Sequence, residues 1–407
     1  MLQHLIKCFA IQCHAPYEVV ESTPNIWAIR CKKWEDGCKW RLRAAKKKTH
    51  NLFEITKYVD QHTCFYSELS QTHVQLDSSM IALEFCEAVR EKPSISVAQL
   101  QSDIKTKWGY HVPYHRVWEG KRKALARVFG DWDDSYKLLP RWLYMIKHTN
   151  PGTRVEWRIK STPTEGHAIL TSVFWAFGPC IEAFNRCRPI IQIDGTHLYG
   201  KYRGKLLIAT SVDSNGHLLP LAFAVVDEES ADTWGWFLKH LREIVIHEEV
   251  CLISDRHGGI ISAVNNPENG WTGPKCHHRF CLRHIVSNFN KKYKYNTLKN
   301  FVYRARCQFQ VRKFNKAVED IKRINRSCMN FFDNIGIEKW AQAHDGGFRY
   351  GWMTTNLSEC INGVLKGARM LPINALAQIT FYKCVNYFEK RKEEIKAAVE
   401  HRDKYTQ

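Results

Sequence analysis

Three acidic residues occupy settings in which a carboxylate is unusual: Asp194 in PIIQIDGTH, Asp255 in VCLISDRHGG and Glu359 in TTNLSECINGVLK. Carboxylate oxygens are the ligands that hard divalent cations such as Mg²⁺ and Mn²⁺ prefer. Three carboxylates could hold two ions about 4 Å apart, the arrangement that serves in-line displacement at a phosphoryl group. We therefore predict a two-metal site in which Asp194 bridges both ions while Asp255 and Glu359 each complete one.

The elements that must position the first two acids can be predicted from periodicity. Both acids follow apolar, β-branched runs, residues 190–193 and 250–253, that are typical of buried strands. A carboxylate at the carboxyl end of such a strand is open to solvent at the sheet edge, where open α/β sheets bind ligands. Residues 206–227 predict a hairpin with its turn at Ser214-Asn215-Gly216, and 234–245 carry apolar residues at helical spacing. The predicted order is strand, hairpin, helix, strand.

Glu359 has a simpler alternative role, because Asn356 lies three residues earlier and the two could form a capping box at a helix start. The predicted buried stripe of that helix consists of Leu357, Ile361, Val364 and Leu365. Glu359 is then on another face, beside Gly363, where no side chain blocks approach.

Other polar residues compete for a role near the acids. Asp213 and Asp227 end the two hairpin strands, but acids are common in turns, so we rank them lower. His197 and His257 are close to the acids in sequence and could orient water or phosphate. An ordinary surface or supporting role is the simpler alternative for both histidines.

The order of elements resembles the RNase H-like fold of DDE transposases. Four motifs are similar to those of the Mutator-like transposase domain of plant mobile elements: IDGTHLYGKYRGKLLIATSVDSNGHLLPLAFAVVDEES, SDRHGGI, HRFCLRH and NLSECINGVLKGARMLPI. The resemblance covers residues 185–385. It implies an α/β fold with an RNase H-like core, an all-helical insertion at about 290–350, and catalytic roles for Asp194, Asp255 and Glu359. It also implies cleavage and transfer of double-stranded DNA at terminal inverted repeats, by a homo-oligomer in the nucleus.

The composition suits a protein that handles a polyanion. The 407 residues include 60 Lys and Arg against 41 Asp and Glu, a net charge of +19. A chain of this length that is 44% hydrophobic is long enough for two or three cored domains. Its 15 cysteines are an odd number, and neither a secretory leader nor a bilayer-spanning stretch is evident. Free thiols and metal ligands are therefore expected rather than disulfides, and no membrane partner is expected.

A second metal site is predicted near the N-terminus. Cys31, Cys38, His62 and Cys64 are four ligands of the kind that tetrahedral zinc prefers, and strand-like stretches lie between the two pairs. Zinc would stabilise a small β-sheet that has too little apolar mass to fold alone. The pattern CKKWEDGCKWRLRA…FEITKYVDQHTC resembles the WRKY-like zinc finger of Mutator transposases and far-red-response proteins. The alternative is four unrelated residues, and the gap of six between Cys31 and Cys38 is longer than in common fingers.

Two basic segments are candidate DNA contacts. Six of the ten residues from 39 to 48 are basic: Lys39, Arg41, Arg43, Lys46, Lys47 and Lys48. Arg41 and Arg43 share one strand face, which could lie along phosphates, although a solvated loop is the alternative. Residues 94–130 predict two helices, with Ser96 and Gln99 as a capping box and the second helix carrying Arg116, Lys121 and Arg122. These helices form either a helix-turn-helix or a linker with a basic face.

Cys281 and His284 lie one helical turn apart in HHRFCLRH and match the Cys-x-x-His element of the family. We favour a structural hydrogen-bonding role, since no further ligand pair is obvious beyond Cys276 or His277. The following residues, 291–316, contain no acid and interleave aromatic with basic side chains. They could bury aromatics, present cations to phosphates, or do both.

The predicted domains are a zinc finger at 1–70, a helical region at 71–160, the α/β core at 185–385 and a charged helix or tail at 386–407. The predicted function is a DNA transposase that requires Mg²⁺ and Zn²⁺. The alternative is a domesticated transcriptional regulator that binds DNA without catalysis. The chain ends at Gln407 without the C-terminal Cys-x-Cys and His-x-Cys element common in the family, so a truncated copy without mobility is a further expectation.

Overall fold

The computed structural model describes residues 2–59, 61–64, 72–162 and 168–400. The ends of the predicted zinc finger and of the predicted C-terminal segment, residues 65–70 and 401–407, lie outside the described residues. The chain divides into two compact units, Met1–Asp131 and Trp132–Gln407. Within the described ranges, no helix combines the length and the apolar character that crossing a membrane requires.

The first unit begins with a helix and a four-stranded antiparallel sheet in the order β1-β2-β3-β4. These elements are α1 (Leu2–Gln12), β1 (Tyr17–Ser22), β2 (Ile26–Cys31), β3 (Arg41–Lys46) and β4 (Phe53–Tyr58). Alternate residues of β2 and β3 are buried in a cluster that includes Trp27, Ile29 and Leu42 together with Ala10 of α1. Because side chains alternate along a strand, the opposite face of this sheet is polar.

Four helices complete the first unit: α2 (Ser78–Glu84), α3 (Cys86–Glu91), α4 (Val97–Trp108) and α5 (Tyr114–Phe129). The side chain of Ser96 caps α4 by accepting a hydrogen bond from the Gln99 backbone N–H. Gly109 ends α4 with φ of +78°, a left-handed conformation that glycine adopts without steric cost. The two helices predicted over residues 94–130 are therefore present, but the capping box is only half formed, because the Gln99 side chain donates to Asp103 Oδ1 instead.

The second unit has a mixed α/β architecture built on a seven-stranded sheet. Its strands are β5 (Arg154–Ser161), β6 (Ala168–Ala176), β7 (Ile190–Tyr199), β8 (Arg203–Val212), β9 (Leu218–Val226), β10 (Val250–Ser254) and β11 (Cys276–Phe280). The prediction of a helical region to residue 160 is wrong at its end, because 154–160 form β5 of this sheet. Val155, Trp157 and Ile159 alternate there with charged residues, which is the strand pattern that the prediction overlooked.

The helices of the second unit surround that sheet. The first five are α6 (Trp132–Thr149), α7 (Gly178–Phe184), α8 (Ala231–Glu243), α9 (Gly258–Asn265) and α10 (Leu282–Tyr293). The others are α11 (Asn296–Arg306), α12 (Val311–Asn325), α13 (Ile337–Trp340), α14 (Asn356–Val364) and α15 (Ile373–Glu400). Short 3-10 turns occur at Pro267–Asn269, Arg326–Phe331, Gln342–His344 and Ala368–Met370.

The strand order is β11-β10-β7-β8-β9-β6-β5. The predicted hairpin is β8 and β9, and β7, β8 and β9 form an antiparallel meander. After α8, strand β10 returns to pair with β7 in parallel, and β11 pairs with β10 in parallel. The predicted order of strand, hairpin, helix and strand is confirmed.

Both faces of β7 and β10 are covered, which explains why their sequences are almost continuously apolar. Ile191, Ile193 and Leu252 belong to the main core together with α8 and α9. Ile190 and Ile253 face the opposite way, into a small cluster with Leu357 of α14 and other residues. The second face is the one on which the candidate site is found.

Residues 282–344, between β11 and α14, contain helices and turns only. They enclose a separate apolar cluster, with Phe289, Phe314 and Trp340 among its buried aromatic side chains. The interleaved aromatics of the basic segment are thus partly buried, and Tyr303 and Phe309 are exposed. The C-terminal helix α15 begins at Ile373, within the predicted core domain, and extends through the predicted charged segment to Glu400.

Candidate functional site

Asp194 and Asp255 occupy equivalent positions on neighbouring parallel strands. Ile190, Ile191 and Gln192 pair with Cys251, Leu252 and Ile253, so the same register extended by two residues sets Asp194 opposite Asp255. The register of β10 with β11 pairs Ser254 with Phe280, and one residue further sets Asp255 opposite Cys281. The three residues thus continue one row of the register just beyond these pairs, and the negative charge of Asp255 acts on Asp194.

The position of Asp194 within its strand differs from the prediction. The parallel pairing of β7 with β10 stops at Gln192, but the antiparallel pairing with β8 continues from Asp194 opposite Ile208 to Tyr199 opposite Arg203. Asp194 is therefore in the middle of β7 rather than at its end. Antiparallel pairing needs only a partner backbone, so a strand can continue after its apolar run has finished.

Helix α14 is fixed to the sheet beside this row by three polar contacts. The Leu357 backbone N–H donates to Gln192 Oε1 at 3.2 Å, and the hydroxyls of Ser358 and Thr210 are 3.0 Å apart. The side-chain amide of Asn362 donates to Asp194 Oδ2 at 2.8 Å. The helix that carries Glu359 is thus tied directly to Asp194.

Glu359 does not act as a helix cap. The N-cap residue of α14 is Thr355, so Asn356 is already inside the helix and no capping box forms. The Glu359 carboxylate instead pairs with the Arg283 guanidinium, and its Oε1 is 3.8 Å from His284 Nε2. Both partners come from α10.

The predicted buried stripe of α14 is correct in part. Ile361 and Leu365 are fully buried, but Val364 is 41% exposed. The buried hydroxyl residue Ser358 takes a place in the stripe through its contact with Thr210. A Cβ atom on Gly363 would meet nothing within 4 Å, so the space beside Glu359 on this face is open, as predicted.

The electrostatics of Asp194 reflect its neighbours. Burial, followed by the negative charge of Asp255 and, more weakly, that of Glu359, raises the pKa of Asp194 from 3.8 to about 7. The positive charge of His284 and the hydrogen bond from the Gly195 N–H oppose that increase. A raised carboxyl pKa beside other carboxylates is typical of a site built to receive a cation.

Cys281 and His284 lie next to the acids, and each affects the pKa of the other. Burial raises the pKa of the Cys281 thiol, but hydrogen bonds from His284 and Thr355 outweigh it and lower the pKa to about 7. The hydrogen bond to Cys281 and the charges of Asp255 and Asp194 raise the pKa of His284. The hydrogen-bonding role that we predicted for the pair stays a prediction.

The three acids are close but do not form a closed ligand set. Among the described residues, two groups of three or more Cys, His, Asp or Glu bring their ligand atoms within 4.8 Å of one another, and neither contains Asp194, Asp255 or Glu359. Ligands of one octahedral Mg²⁺ are at most about 4.2 Å apart, so all three acids could not bind a single ion without movement. Two ions about 4 Å apart accept a wider spacing.

The polar atoms at this place fit a cation and its water. Glu359 Oε1, Asn362 Oδ1 and His284 Nδ1 are buried and have no hydrogen-bond partner in the described part of the chain. Buried polar atoms in native proteins are normally satisfied by protein, water or an ion. The carboxylate and amide oxygens are hard ligands suited to Mg²⁺ or Mn²⁺.

The rival polar residues have local structural roles. Asp213 Oδ1 accepts hydrogen bonds from the N–H groups of Asn215 and His217 in the hairpin turn, and Asp227 Oδ1 accepts one from Glu228. His257 caps α9 by accepting from the Gly259 N–H at 3.2 Å. These contacts support the lower rank that we gave to the turn acids.

The second predicted metal site has its four residues together. Cys31, Cys38, His62 and Cys64 form one group whose ligand atoms lie within 4.8 Å of one another, and it could bind zinc. The Sγ atoms of Cys31 and Cys64 are 3.6 Å apart, and His62 Nδ1 is 3.5 Å from Cys38 Sγ and 3.7 Å from Cys64 Sγ.

These separations correspond to the edges of a tetrahedron around zinc. Zn–S bonds of about 2.3 Å and Zn–N bonds of about 2.0 Å place S and S roughly 3.7 Å apart, and S and N roughly 3.5 Å apart. A disulfide would need about 2.05 Å between sulfurs. The Trp40 ring stacks on the His62 ring with centroids 4.5 Å apart, which holds the imidazole in position. The long gap between Cys31 and Cys38 forms a turn that brings the two thiols together.

The polar side of the small sheet is basic. Arg41 pairs across the strands with Arg30, and Arg43 pairs with Lys57, so the side chains of each pair share one face. We call Arg30, Arg41, Arg43 and Lys57 the basic face. Cations directly opposite one another destabilise a sheet, and a bound polyanion would remove that cost. Arg30 is partly neutralised by Glu18, at 2.5 Å.

The other predicted DNA contacts vary in their availability. Lys39, Lys47 and Lys48 are exposed, and Lys46 and Arg116 are half-buried. Arg122 is exposed, with its guanidinium 5.3 Å from the centre of the Trp118 ring. Lys121 is buried, and its ammonium donates to the Ile95 carbonyl at 2.6 Å. Lys121 therefore supports the helical fold, and the prediction that it contacts DNA is incorrect.

Sequence reasoning missed several residues that the fold brings to these sites. Asn362 and Arg283 contact the acids. Both lie in motifs from which only other residues were predicted to belong to the site. Arg30 and Lys57 join the basic face only through strand pairing. The register of an antiparallel sheet is the signal that could have found them.

Comparisons with known proteins find two family matches and distant relatives. Residues 190–288 match the family described as the MULE transposase domain, and residues 2–55 match the MuDR family transposase. The chain is 25% identical over 128 residues to protein FAR1-related sequence 6 of Arabidopsis thaliana, which covers 30% of this chain and 17% of that protein. It is 26% identical over 148 residues to the transposase for insertion sequence element IS256 in transposon Tn4001 of Staphylococcus aureus, 36% of each chain.

The chain thus spans little more than a third, at most, of the curated relatives that it matches. The predicted resemblance to plant Mutator-like transposases and their derivatives is confirmed. The matches support a transposase-related function, and the N-terminal match indicates DNA binding.

Proposed function

We propose that this relative of the Mutator-like transposases binds the ends of a mobile element and cleaves and transfers DNA strands with divalent metal ions. The observation that carries the proposal is the shared register of Asp194 and Asp255, with the helix of Glu359 tied to Asp194 through Asn362. Three acids from distant parts of the chain lie near one another. Folding of the chain alone does not require this arrangement.

The sheet supports an RNase H-like core for the second unit. Its strands β7, β8 and β9 form the antiparallel meander, and β10 and β11 continue the sheet in parallel on the other side of β7. In that fold the first strand is central and adjoins both the meander and the parallel strands. Helix α14, after the helical segment, supplies the third acid.

The roles of the residues follow from their positions. The charges of Asp255 and Glu359 both act on Asp194. Asp194 would therefore contact both ions, while Asp255 and Glu359 would each contact one. Bound Mg²⁺ or Mn²⁺ would stabilise the charge that develops on the attacking and leaving oxygens of a phosphodiester. The side-chain amide of Asn362 donates a hydrogen bond to one oxygen of Asp194 and so fixes the orientation of that carboxylate. His284 and Arg283 hold Glu359 close by.

DNA binding in the proposal rests on the first unit. Zinc held by Cys31, Cys38, His62 and Cys64 would stabilise the sheet, and its basic face would contact phosphates. Lys39 and Arg41 lie 4.8 and 5.8 Å from the centre of the Trp34 ring, which adds an aromatic surface to this face. The terminal inverted repeats as target, the homo-oligomer and the nuclear location are parts of the same proposal.

The catalytic part is tested by Asp194→Asn in the full chain. The substitution keeps the size of the side chain and removes the charge that both ions need. We expect Mg²⁺-dependent nicking of a plasmid that carries the DNA flanking the coding sequence to fall at least a hundredfold, while DNA binding persists. Asp227→Asn is the matched control, since it removes the same charge from a turn acid whose carboxylate accepts a hydrogen bond from the adjacent Glu228 N–H.

Equal nicking by Asp194→Asn and the unaltered chain would exclude Asp194 as a metal ligand. In the DNA-binding arm, Arg41→Ala with Arg43→Ala should weaken binding and reduce the dependence of log affinity on log salt by roughly 0.9 for each phosphate that the protein no longer neutralises. Arg90→Ala, on the exposed surface of α3, is its control.

A second candidate function is a DNA-binding regulator without catalysis. Two observations favour it: the three acids do not form a closed ligand set among the described residues, and Glu359 is paired with Arg283. A regulator would bind the same DNA with full affinity and show no nicking in Mg²⁺ or Mn²⁺, with or without Asp194.

A further inference from the structure

A second group of metal-ligand residues lies in the first unit, apart from the Cys31 group. It consists of His4 and Cys8 on α1 and Glu84 at the end of α2, and their ligand atoms lie within 4.8 Å of one another. We propose that these three residues bind a second zinc ion, which links α1 to α2.

The positions on α1 favour joint ligation. His4 and Cys8 are four residues apart, so they lie one above the other on the same face of the helix. His4 Nε2 and Cys8 Sγ are 3.7 Å apart, close to the roughly 3.5 Å that separates S and N ligands of a tetrahedral zinc. The opposite ring nitrogen, His4 Nδ1, is buried without a partner in the described residues, so Nε2 is the one directed at the group.

The donor set is the one that zinc accepts. Imidazole nitrogen, thiolate sulfur and carboxylate oxygen are all zinc ligands in proteins, and three of them leave a fourth position for water. One thiolate and one carboxylate neutralise the charge of the ion. All three residues are half-buried, which protects the site without closing it.

Lys107 is the competitor for Glu84, and its geometry allows both. Its ammonium pairs with Glu84 Oε1, and a carboxylate has a second oxygen that could bind a metal. A hydrogen bond from a second residue to a metal-bound carboxylate is common around zinc, since it orients the ligand. The Lys107 side chain is half-exposed and can move, whereas the Glu84 side chain is 18% exposed.

Other contacts already hold the two helices in this arrangement. Lys7 on α1 pairs at 2.5 Å with Asp77, the residue that caps α2 through the Met80 N–H. His14, just after α1, is 2.6 Å from the hydroxyl of Tyr110. Since α1 also packs on the buried side of the small sheet, the ion would join the sheet that carries the basic face to the helices that follow it.

The test is the zinc content of the full chain, purified with zinc and dialysed, measured by mass spectrometry. We expect two zinc ions per chain, one after Cys8→Ser or Glu84→Gln, and one after Cys64→Ser. Cys13→Ser is the matched control, because Cys13 is an exposed thiol of the same segment outside both groups, and it should retain two. Replacement of zinc by Co²⁺ provides a second measurement.

Of the four thiolates in the two groups, Cys8 supplies one, so Cys8→Ser should remove about a quarter of the thiolate-to-cobalt absorption. A Cys8→Ser chain that keeps its circular dichroism and its zinc count unchanged overturns the proposal, as does a single zinc in the unaltered chain. The test measures metal content and not DNA nicking. Failure of the catalytic proposal would therefore not contradict the second zinc site.

Discussion

The two predicted metal sites are built from different ligands, and they are assembled to different degrees without an ion. The thiol and imidazole group at Cys31 already has its ligand atoms at tetrahedral separations. The carboxylate group at Asp194 is not closed in the described residues, and Glu359, one of its members, is paired with Arg283.

The difference follows from charge. Thiols and a neutral imidazole can approach one another without repulsion, and packing such as the Trp40 stack on His62 holds them. Carboxylates repel one another, so the pKa of Asp194 is raised, and Glu359 pairs with the Arg283 guanidinium. A soft-ligand site can therefore be preformed by the fold, whereas a hard-ligand site is completed by its ion.

The largest expected effect concerns the preformed group. Cys64→Ser should lose its zinc and destabilise the sheet of the first unit by on the order of 5 kcal/mol or more, because little apolar mass supports β2 and β3. Hydrogen exchange at the amides of these strands should become fast. Unchanged protection in Cys64→Ser would show that packing, not zinc, holds the group together. Cys13→Ser should leave exchange as it is.

The next effect tests the repulsion among the carboxylates. The pKa of Asp194 lies at about 7 in the folded chain against 3.8 normally, so the folded state binds this proton more tightly than the unfolded state. The free energy of unfolding therefore falls as Asp194 ionises between about pH 4 and about pH 7. Above pH 7 it stays lower by the full amount.

Asp194→Asn should consequently raise the melting temperature of the metal-free protein by a few degrees at pH 8 and change it little at pH 4. Thermal unfolding with chelator at both pH values measures this. If the variant and the unaltered chain melt at the same temperature at pH 8, repulsion among the carboxylates does not destabilise the metal-free protein. Added Mg²⁺ should reduce the difference by stabilising the unaltered chain.

The smallest effect concerns Arg283, which competes with an ion for Glu359. Arg283→Ala should tighten Mn²⁺ binding about two- to fivefold, because the guanidinium is more than half exposed and such pairs contribute up to about 1 kcal/mol. Calorimetric titration measures the affinity. Arg312→Ala, an exposed residue of α12, removes the same charge as a control. Weaker Mn²⁺ binding in Arg283→Ala would instead make Arg283 a supporting residue of the site.

Much of the local structure was predictable because it depends on neighbours in sequence. The apolar run before Asp194, the hairpin after it and the stripe of α8 each follow from periodicity. The helices over 94–130 follow from Ser96 and Gly109, whose cap and stop act within a few residues. The grouping of Cys31, Cys38, His62 and Cys64 followed from residue type and spacing.

The sequence by itself determined which acids, thiols and imidazoles are available and which strands and helices carry them. Only the tertiary structure decided that Asp194, Asp255 and Cys281 share one row, because strand register is a relation between distant segments. It also decided that Lys121 is buried, that Asn362 holds Asp194 and that Glu84 reaches His4 and Cys8. Each of these arrangements depends on the free energy of packing between segments that are distant in the sequence. Local periodicity does not predict that free energy.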